Sequence, residues 1–137
     1  MHDLVTVKNT PARPDVLVVE DNVSLQKILI QSLEKYGIST TLAGDGEVAL
    51  YSALKHKPRV ILLDMLIPKM SGLELLTILR KHARGKSIPV IVLTNLDDIE
   101  VQNQCVIMGV KHHYIKCNTG MDQVVAMVRS QLKLDTF

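Results

Sequence analysis

The sequence predicts an α/β domain built on a doubly wound parallel sheet, and three observations carry that expectation. Short apolar runs alternate with longer amphipathic stretches from Asp15 onward. Three of the runs, Val16-Leu17-Val18-Val19, Val60-Ile61-Leu62-Leu63 and Val90-Ile91-Val92-Leu93, are continuous and mostly β-branched, the pattern of strands covered by helices on both faces. Strict alternation of strand and helix, five times over, favours right-handed crossovers that place helices on both sides of one sheet.

The elements follow in order. Residues 1–14 end in Thr10-Pro11-Ala12-Arg13-Pro14, and two prolines so close favour irregular backbone, which predicts a loose tail ahead of a single domain over 15–137. After the first apolar run, Asn22 is placed to cap a helix with the stripe Leu25, Ile28, Leu29, Leu33 and Tyr36, ended by Gly37. Ile38 to Leu42 is more polar and suits an edge strand. Asp45 to His56 reads as the second helix, stopped before Pro58. Gly72 to Ala83 reads as the third, with Leu73, Leu76 and Leu79 inward, and Asp97 to Met108 as the fourth, ended by Gly109. Val110 to Ile115 is the weakest strand. Met121, Val124, Val125, Val128 and Leu132 recur at helical spacing and predict the last helix.

Composition excludes several classes. Apolar residues make up 47% and charged residues 22% of 137 residues, an ordinary globular balance. The net charge of +2 is scattered rather than gathered into a stripe, and aromatics are 3% with no tryptophan. Direct nucleic-acid binding is therefore not expected. Two cysteines, Cys105 and Cys117, are too few for a disulfide framework, and we read both as reduced thiols of a cytoplasmic protein. No stretch approaches the roughly 18 apolar residues of a membrane span.

In doubly wound sheets, ligands bind beyond the carboxyl ends of the strands. Those positions hold Glu20 and Asp21 after the first strand, Asp64 after the third, Thr94 after the fourth and Lys116 after the fifth. Each residue alone is most simply a cap, a turn residue or a solvated charge. Their convergence on one rim is more informative. Three carboxylates brought together repel one another unless a cation joins them, and a hard divalent ion such as Mg²⁺ suits all-oxygen ligands. A carboxylate flanked by a metal, a lysine and a hydroxyl is the equipment for accepting a phosphoryl group.

These residues resemble a known family. Val60 to Gly72, with Asp64, a proline four residues on (Pro68) and a glycine eight on, is similar to the phosphoacceptor segment of response-regulator receiver domains of bacterial two-component systems. Val18-Val19-Glu20-Asp21-Asn22 resembles the family's acidic pair, Ile88 to Thr94 its fourth strand, and Lys116 stands where its lysine stands. The resemblance covers roughly residues 15–134. It implies a flavodoxin-like (βα)5 sandwich with strand order 2-1-3-4-5, like a stand-alone chemotaxis regulator. It further implies that Asp64 takes a phosphoryl group from a sensor histidine kinase or phosphotransfer protein. By the same resemblance Mg²⁺ would be held by Asp21, Asp64 and the backbone carbonyl of Leu66, with Glu20 acting largely through water. Thr94 and Lys116 would engage the phosphoryl group, whose charge of about −1.5 to −2 would bias a two-state arrangement. Such a protein is a signalling switch rather than an enzyme.

The chain departs from the family pattern at three places. The switch aromatic's position holds His113, with Tyr114 one residue later and so on the opposite face. Cys117 follows Lys116 where the family usually has a proline, and Asn95 follows Thr94 where a small residue is more common. His113 as the switch residue predicts an output sensitive to pH near the ordinary histidine value. Adjacent His112 and His113 cannot share one metal ion on a strand. Ile99, Val101, Cys105, Val106, Ile107 and Met108 exceed one buried stripe, which predicts either a deeply buried fourth helix or, with the fifth strand and last helix, a face for docking a protein target or a second copy of the chain. Two competing functions are a receiver acting as a phosphorylation-independent interaction module, and a phosphohydrolase using Asp64. The latter, of the haloacid dehalogenase type, needs a second acid where this chain has Leu66. Nothing at the end of the chain resembles a DNA-binding output domain, which predicts action through protein partners or a place in a larger regulator.

Overall fold

The computed structural model describes residues 13–136, with side chains through residue 133. Five strands alternate with five helices: β1 (Val16–Val19), α1 (Val23–Glu34), β2 (Thr40–Ala43), α2 (Gly46–His56), β3 (Val60–Leu63), α3 (Gly72–Lys81), β4 (Val90–Thr94), α4 (Ile99–Ile107), β5 (His112–Ile115) and α5 (Met121–Thr136). The strands form one parallel sheet in the order β2-β1-β3-β4-β5. The doubly wound sheet is the one expected from the alternation, and its strand order is that of the flavodoxin-like sandwich the family resemblance implies.

The alternating side chains of the central strands feed two separate cores. Leu17, Val19, Ile61, Leu63, Val90 and Val92 pack with Ala49, Ala53, Leu75, Leu76, Leu79 and Cys105 from α2, α3 and α4. Val16, Val18, Val60, Leu62, Ile91 and Leu93 pack with Leu29, Leu33, Val124, Val125 and Val128 from α1 and α5. A strand buried on both faces has no polar side to show, which is why the three continuous runs are continuous.

Helix starts are set by local capping. Asn22, Asp45, Ser71 and Asp98 each accept a backbone N–H of the following turn, and Ser71 with Glu74 forms a reciprocal capping box. Both helix-ending glycines, Gly37 and Gly109, have positive φ, the conformation that stops a helix at low cost.

Several helix-face expectations need correction. Ile28 and Tyr36 are exposed, so α1 buries only Leu29 and Leu33 fully. Tyr36 lies beyond the helix end, and Arg129 of α5 sits over its ring at 4.4 Å. In α3 the buried leucines are Leu75, Leu76 and Leu79, while Leu73 is half-buried; the stripe is turned by a fraction of a turn from the one expected. The fourth helix is not deeply buried: Cys105 alone is buried in α4, and Ile99 and Ile107 are 66% and 83% exposed.

Most of the expected tail, residues 1–12, lies outside the described residues. Pro14 is buried and its carbonyl accepts the Arg59 N–H at 3.1 Å, while Arg13 Nε donates to the Lys57 carbonyl at 2.9 Å. No helix among the described residues is long and apolar enough to cross a membrane. At the amino-terminal end of β4, Arg80 of α3 ties two connections together through three carbonyls: Nε donates to the Met108 carbonyl at 2.7 Å, and Nη1 to the carbonyls of Gly85 and Ile88 at 3.2 and 2.9 Å.

Candidate functional site

Parallel register aligns the ends of β1, β3 and β4 and so fixes what their final residues can touch. Val19 is paired with Leu63 and with Ala43. The ladder continues one step further, with Glu20 N–H donating to the Ala43 carbonyl and Asp64 N–H to the Val19 carbonyl, both at 3.1 Å. Glu20 and Asp64 are therefore neighbours across the carboxyl edge. Thr94 ends β4 and Lys116 begins the 3-10 turn Lys116–Asn118 immediately after β5.

Asp64 is the centre of the site and is only 5% exposed. Thr94 Oγ1 donates to its Oδ1 at 2.7 Å, and the Leu66 N–H donates to the same oxygen at 3.0 Å. Lys116 Nζ donates to Oδ2 at 2.6 Å. Both oxygens of one buried carboxylate thus have charged or hydroxyl donors, which fixes its orientation. Lys116 makes a second, equally short ion pair at 2.6 Å with Glu20 Oε1. Glu20 is 2% exposed, and its other oxygen accepts the Asn22 N–H at 3.0 Å. Burial of Lys116 pulls its pKa down, but the hydrogen bonds and charges of Asp64 and Glu20 outweigh it and leave the ammonium above its ordinary value.

Asp21 is exposed at the mouth of the site. One oxygen each from Glu20, Asp21 and Asp64 lie within 4.8 Å of one another. Three carboxylates against one lysine leave about two negative charges uncompensated on all-oxygen donors, which suits a hard divalent cation. Leu66 is exposed on the loop following Asp64.

The two candidate switch residues face opposite ways. His113 is in register with Val92, so it points toward α2–α4, whereas Tyr114 is in register with Leu93 and packs into the core under α1 and α5. His113 is half-buried; burial lowers its pKa, partly opposed by the charge of Asp97. This departs from the expectation of an ordinary histidine value. His112 and Tyr114 share a face, with rings stacked 6.1 Å apart. Both cysteines are free thiols, Cys105 buried and Cys117 exposed.

Two supporting contacts go beyond what the sequence predicts. Gln26 Nε2 donates to the Glu20 carbonyl at 2.6 Å, holding the acidic turn from α1. Asn95 Oδ1 accepts the Cys117 N–H at 3.1 Å, linking the loops after β4 and β5. The departures at 95 and 117 were the available signal for that link. Gln26 gave none, since a polar residue one turn into a helix is unremarkable.

Comparison with known proteins is consistent along the chain. Residues 16–129 match the response regulator receiver domain family. The transcriptional regulatory protein HprR of Escherichia coli is 32% identical over 118 residues, covering 86% of this chain and 51% of its own length. The DNA-binding response regulator MtrA of Mycobacterium tuberculosis is 30% identical over 125 residues, covering 88% of this chain and 51% of its own. The chain thus spans about half the length of the curated relatives it matches, and DNA binding is named for MtrA, not for this chain. The expectation of no direct nucleic-acid contact rests on this chain's scattered charge and few aromatics, and concerns the receiver domain only. The Francisella response regulator 1452 receiver domain superimposes with a TM-score of 0.78 at 31% identity, covering 88% of this chain and 98% of that one. Fold, matched residues and relatives agree that this chain belongs to the response-regulator receiver domains of two-component signalling.

Proposed function

We propose that the protein is a phosphorylation-activated switch in which Asp64 accepts a phosphoryl group from a histidine kinase or phosphotransfer protein. The observation that carries this reading is the double hold on Asp64, with Thr94 on one oxygen and Lys116 on the other. In the reaction one carboxylate oxygen of Asp64 attacks phosphorus and forms a P–O bond. The P–N bond to the donor imidazole breaks, and the departing nitrogen keeps the electron pair and takes up a proton. Thr94 and Lys116 then donate to phosphoryl oxygens instead of to the carboxylate. Both donors already lie beside the atom that would carry the phosphoryl group, so the turn to new acceptors is short.

Asp21, Asp64 and the Leu66 carbonyl would hold Mg²⁺ directly. Both Glu20 oxygens already have protein partners, which supports a water-mediated role for Glu20. Bound there, the ion supplies positive charge to the equatorial phosphoryl oxygens. His113 and Tyr114 are the groups through which the changed state would reach the α4–β5–α5 face, where exposed Ile99, Val106 and Ile107 offer apolar surface to a protein target or a second copy of the chain. Membership of the receiver family supports placing this switch in the cytoplasm. A phosphorylation-independent interaction module has no use for two buried carboxylates and a buried ion pair, which are costly to assemble.

Mass spectrometry after incubation with acetyl phosphate and Mg²⁺ tests the proposal. Wild type is expected to gain one phosphoryl group and Asp64→Ala none. A wild type that gains no mass would end the switch reading and leave only the family and fold.

A further inference from the structure

Asn95 and Cys117 flank Thr94 and Lys116, and the structure makes them partners. Residues Lys116–Asn118 form a single 3-10 turn, closed by the Thr119 N–H on the Lys116 carbonyl at 3.2 Å and by Thr119 Oγ1 on the Ile115 carbonyl at 2.8 Å. The first N–H groups of such a turn have no partner inside it and must find one elsewhere. For Cys117 that partner is Asn95 Oδ1, 22 residues away in sequence, at 3.1 Å. Proline at 117 would have no N–H to give, and a small aliphatic residue at 95 no acceptor. Neither departure makes this contact without the other.

We propose that Asn95 is a positioning residue for phosphoryl acceptance, tying the loop that carries Lys116 to the loop that carries Thr94. This rests on the reading of Asp64 as phosphoacceptor. The links close a ring. Asp64 Oδ1 is held by Thr94, Thr94 is bonded to Asn95, Asn95 accepts from Cys117, Cys117 is bonded to Lys116, and Lys116 returns to Asp64 Oδ2. Thr94 Oγ1 also accepts the Leu96 N–H at 3.2 Å, so its direction is set from the loop side as well. When one Asp64 oxygen becomes part of an acyl phosphate, both donors must turn to new acceptors. With the ring closed, the two loops re-aim together and the spacing between hydroxyl and ammonium is kept. With it open, each loop searches independently, and fewer encounters find both donors in place.

The test measures the rate of mass gain across acetyl phosphate concentrations, together with the Mg²⁺ concentration for half-effect and the melting temperature. Asn95→Ala is expected to lower the limiting rate roughly twofold to tenfold, the leverage of one hydrogen bond. Half-effect Mg²⁺ and melting temperature stay near wild type. Cys117→Ala keeps the N–H and should match wild type. In a Cys117→Pro background, where the donor is gone, Asn95→Ala should cost little more. Equal or faster rates for Asn95→Ala, a slow Cys117→Ala, or an undiminished Asn95→Ala effect in the Cys117→Pro background would each overturn the tie. If wild type itself gains no mass, the phosphoacceptor reading falls and takes the tie with it. If wild type gains mass and Asn95→Ala keeps pace, the tie alone falls.

Discussion

His113 is half-buried on the α2–α4 side of β5, and burial holds its pKa below the ordinary histidine value despite the pull of Asp97. The folded state therefore binds this proton less readily than the unfolded chain. Stability from this residue is present above the unfolded pKa of about 6.5 and declines as pH falls toward the folded value. Urea midpoints at pH 7 and pH 5 should differ less for His113→Phe than for wild type; an identical pH dependence in the two would show that His113 titrates without linkage to folding. The residues that end strands were readable because the apolar runs mark where each strand stops. Their mutual distances were not. That Lys116 would pair with Glu20 as well as Asp64, and that Asn95 would reach Cys117, depends on how the loops after β1, β4 and β5 curl over the same edge.

The segment between β3 and α3 is shaped by a close approach that only glycine allows. A Cβ on Gly72 would lie 2.6 Å from Met65 Cα, 2.7 Å from its sulfur and 2.9 Å from the Asp64 carbonyl oxygen. Two of those atoms are backbone of the residues at the centre of the site. Gly72→Ala gains helix propensity of about 1 kcal/mol, but forcing a methyl into packed backbone costs typically 1–3 kcal/mol. We expect a lower urea midpoint and slower phosphoryl uptake, measured on the same preparation. A variant equal to wild type in both would mean the loop yields without cost. Helix existence was legible from spacing, yet which face turns inward was less so. On α3, Leu73, Leu76 and Leu79 fit an apolar stripe, but the surface offered by β1, β3 and α2 is wide enough to take Leu75 and leaves Leu73 at its margin. On α4 the surplus apolar residues could not be assigned to core or surface without knowing how little of the helix the sheet covers.

The finished molecule collects negative charge at one end of its sheet, and its stability should respond to whatever neutralises that end. Asp21 has no cationic partner among the described residues and lies beside two carboxylates that share one lysine. Removing its charge relieves repulsion in the metal-free protein while weakening the cation site. Asp21→Asn should melt roughly 2–4 °C above wild type in chelator. Wild type should gain melting temperature with the logarithm of Mg²⁺ concentration, as expected for a ligand that binds only the folded state, and Asp21→Asn should gain far less. Opposite shifts, or parallel Mg²⁺ curves, would remove Asp21 from the cation site.

Arg80 holds Met108 from beneath, so α4 is anchored at its rear, while its front begins just past the loop that bears Thr94 and Asn95. A rod of nine residues, about 13 Å long, gripped at one end and lightly seated along its length, would behave as a tiller. A small turn imposed near Thr94 would swing the Ile99 end through the widest arc and leave Met108 nearly still, concentrating any steering at the helix tip nearest the chemistry.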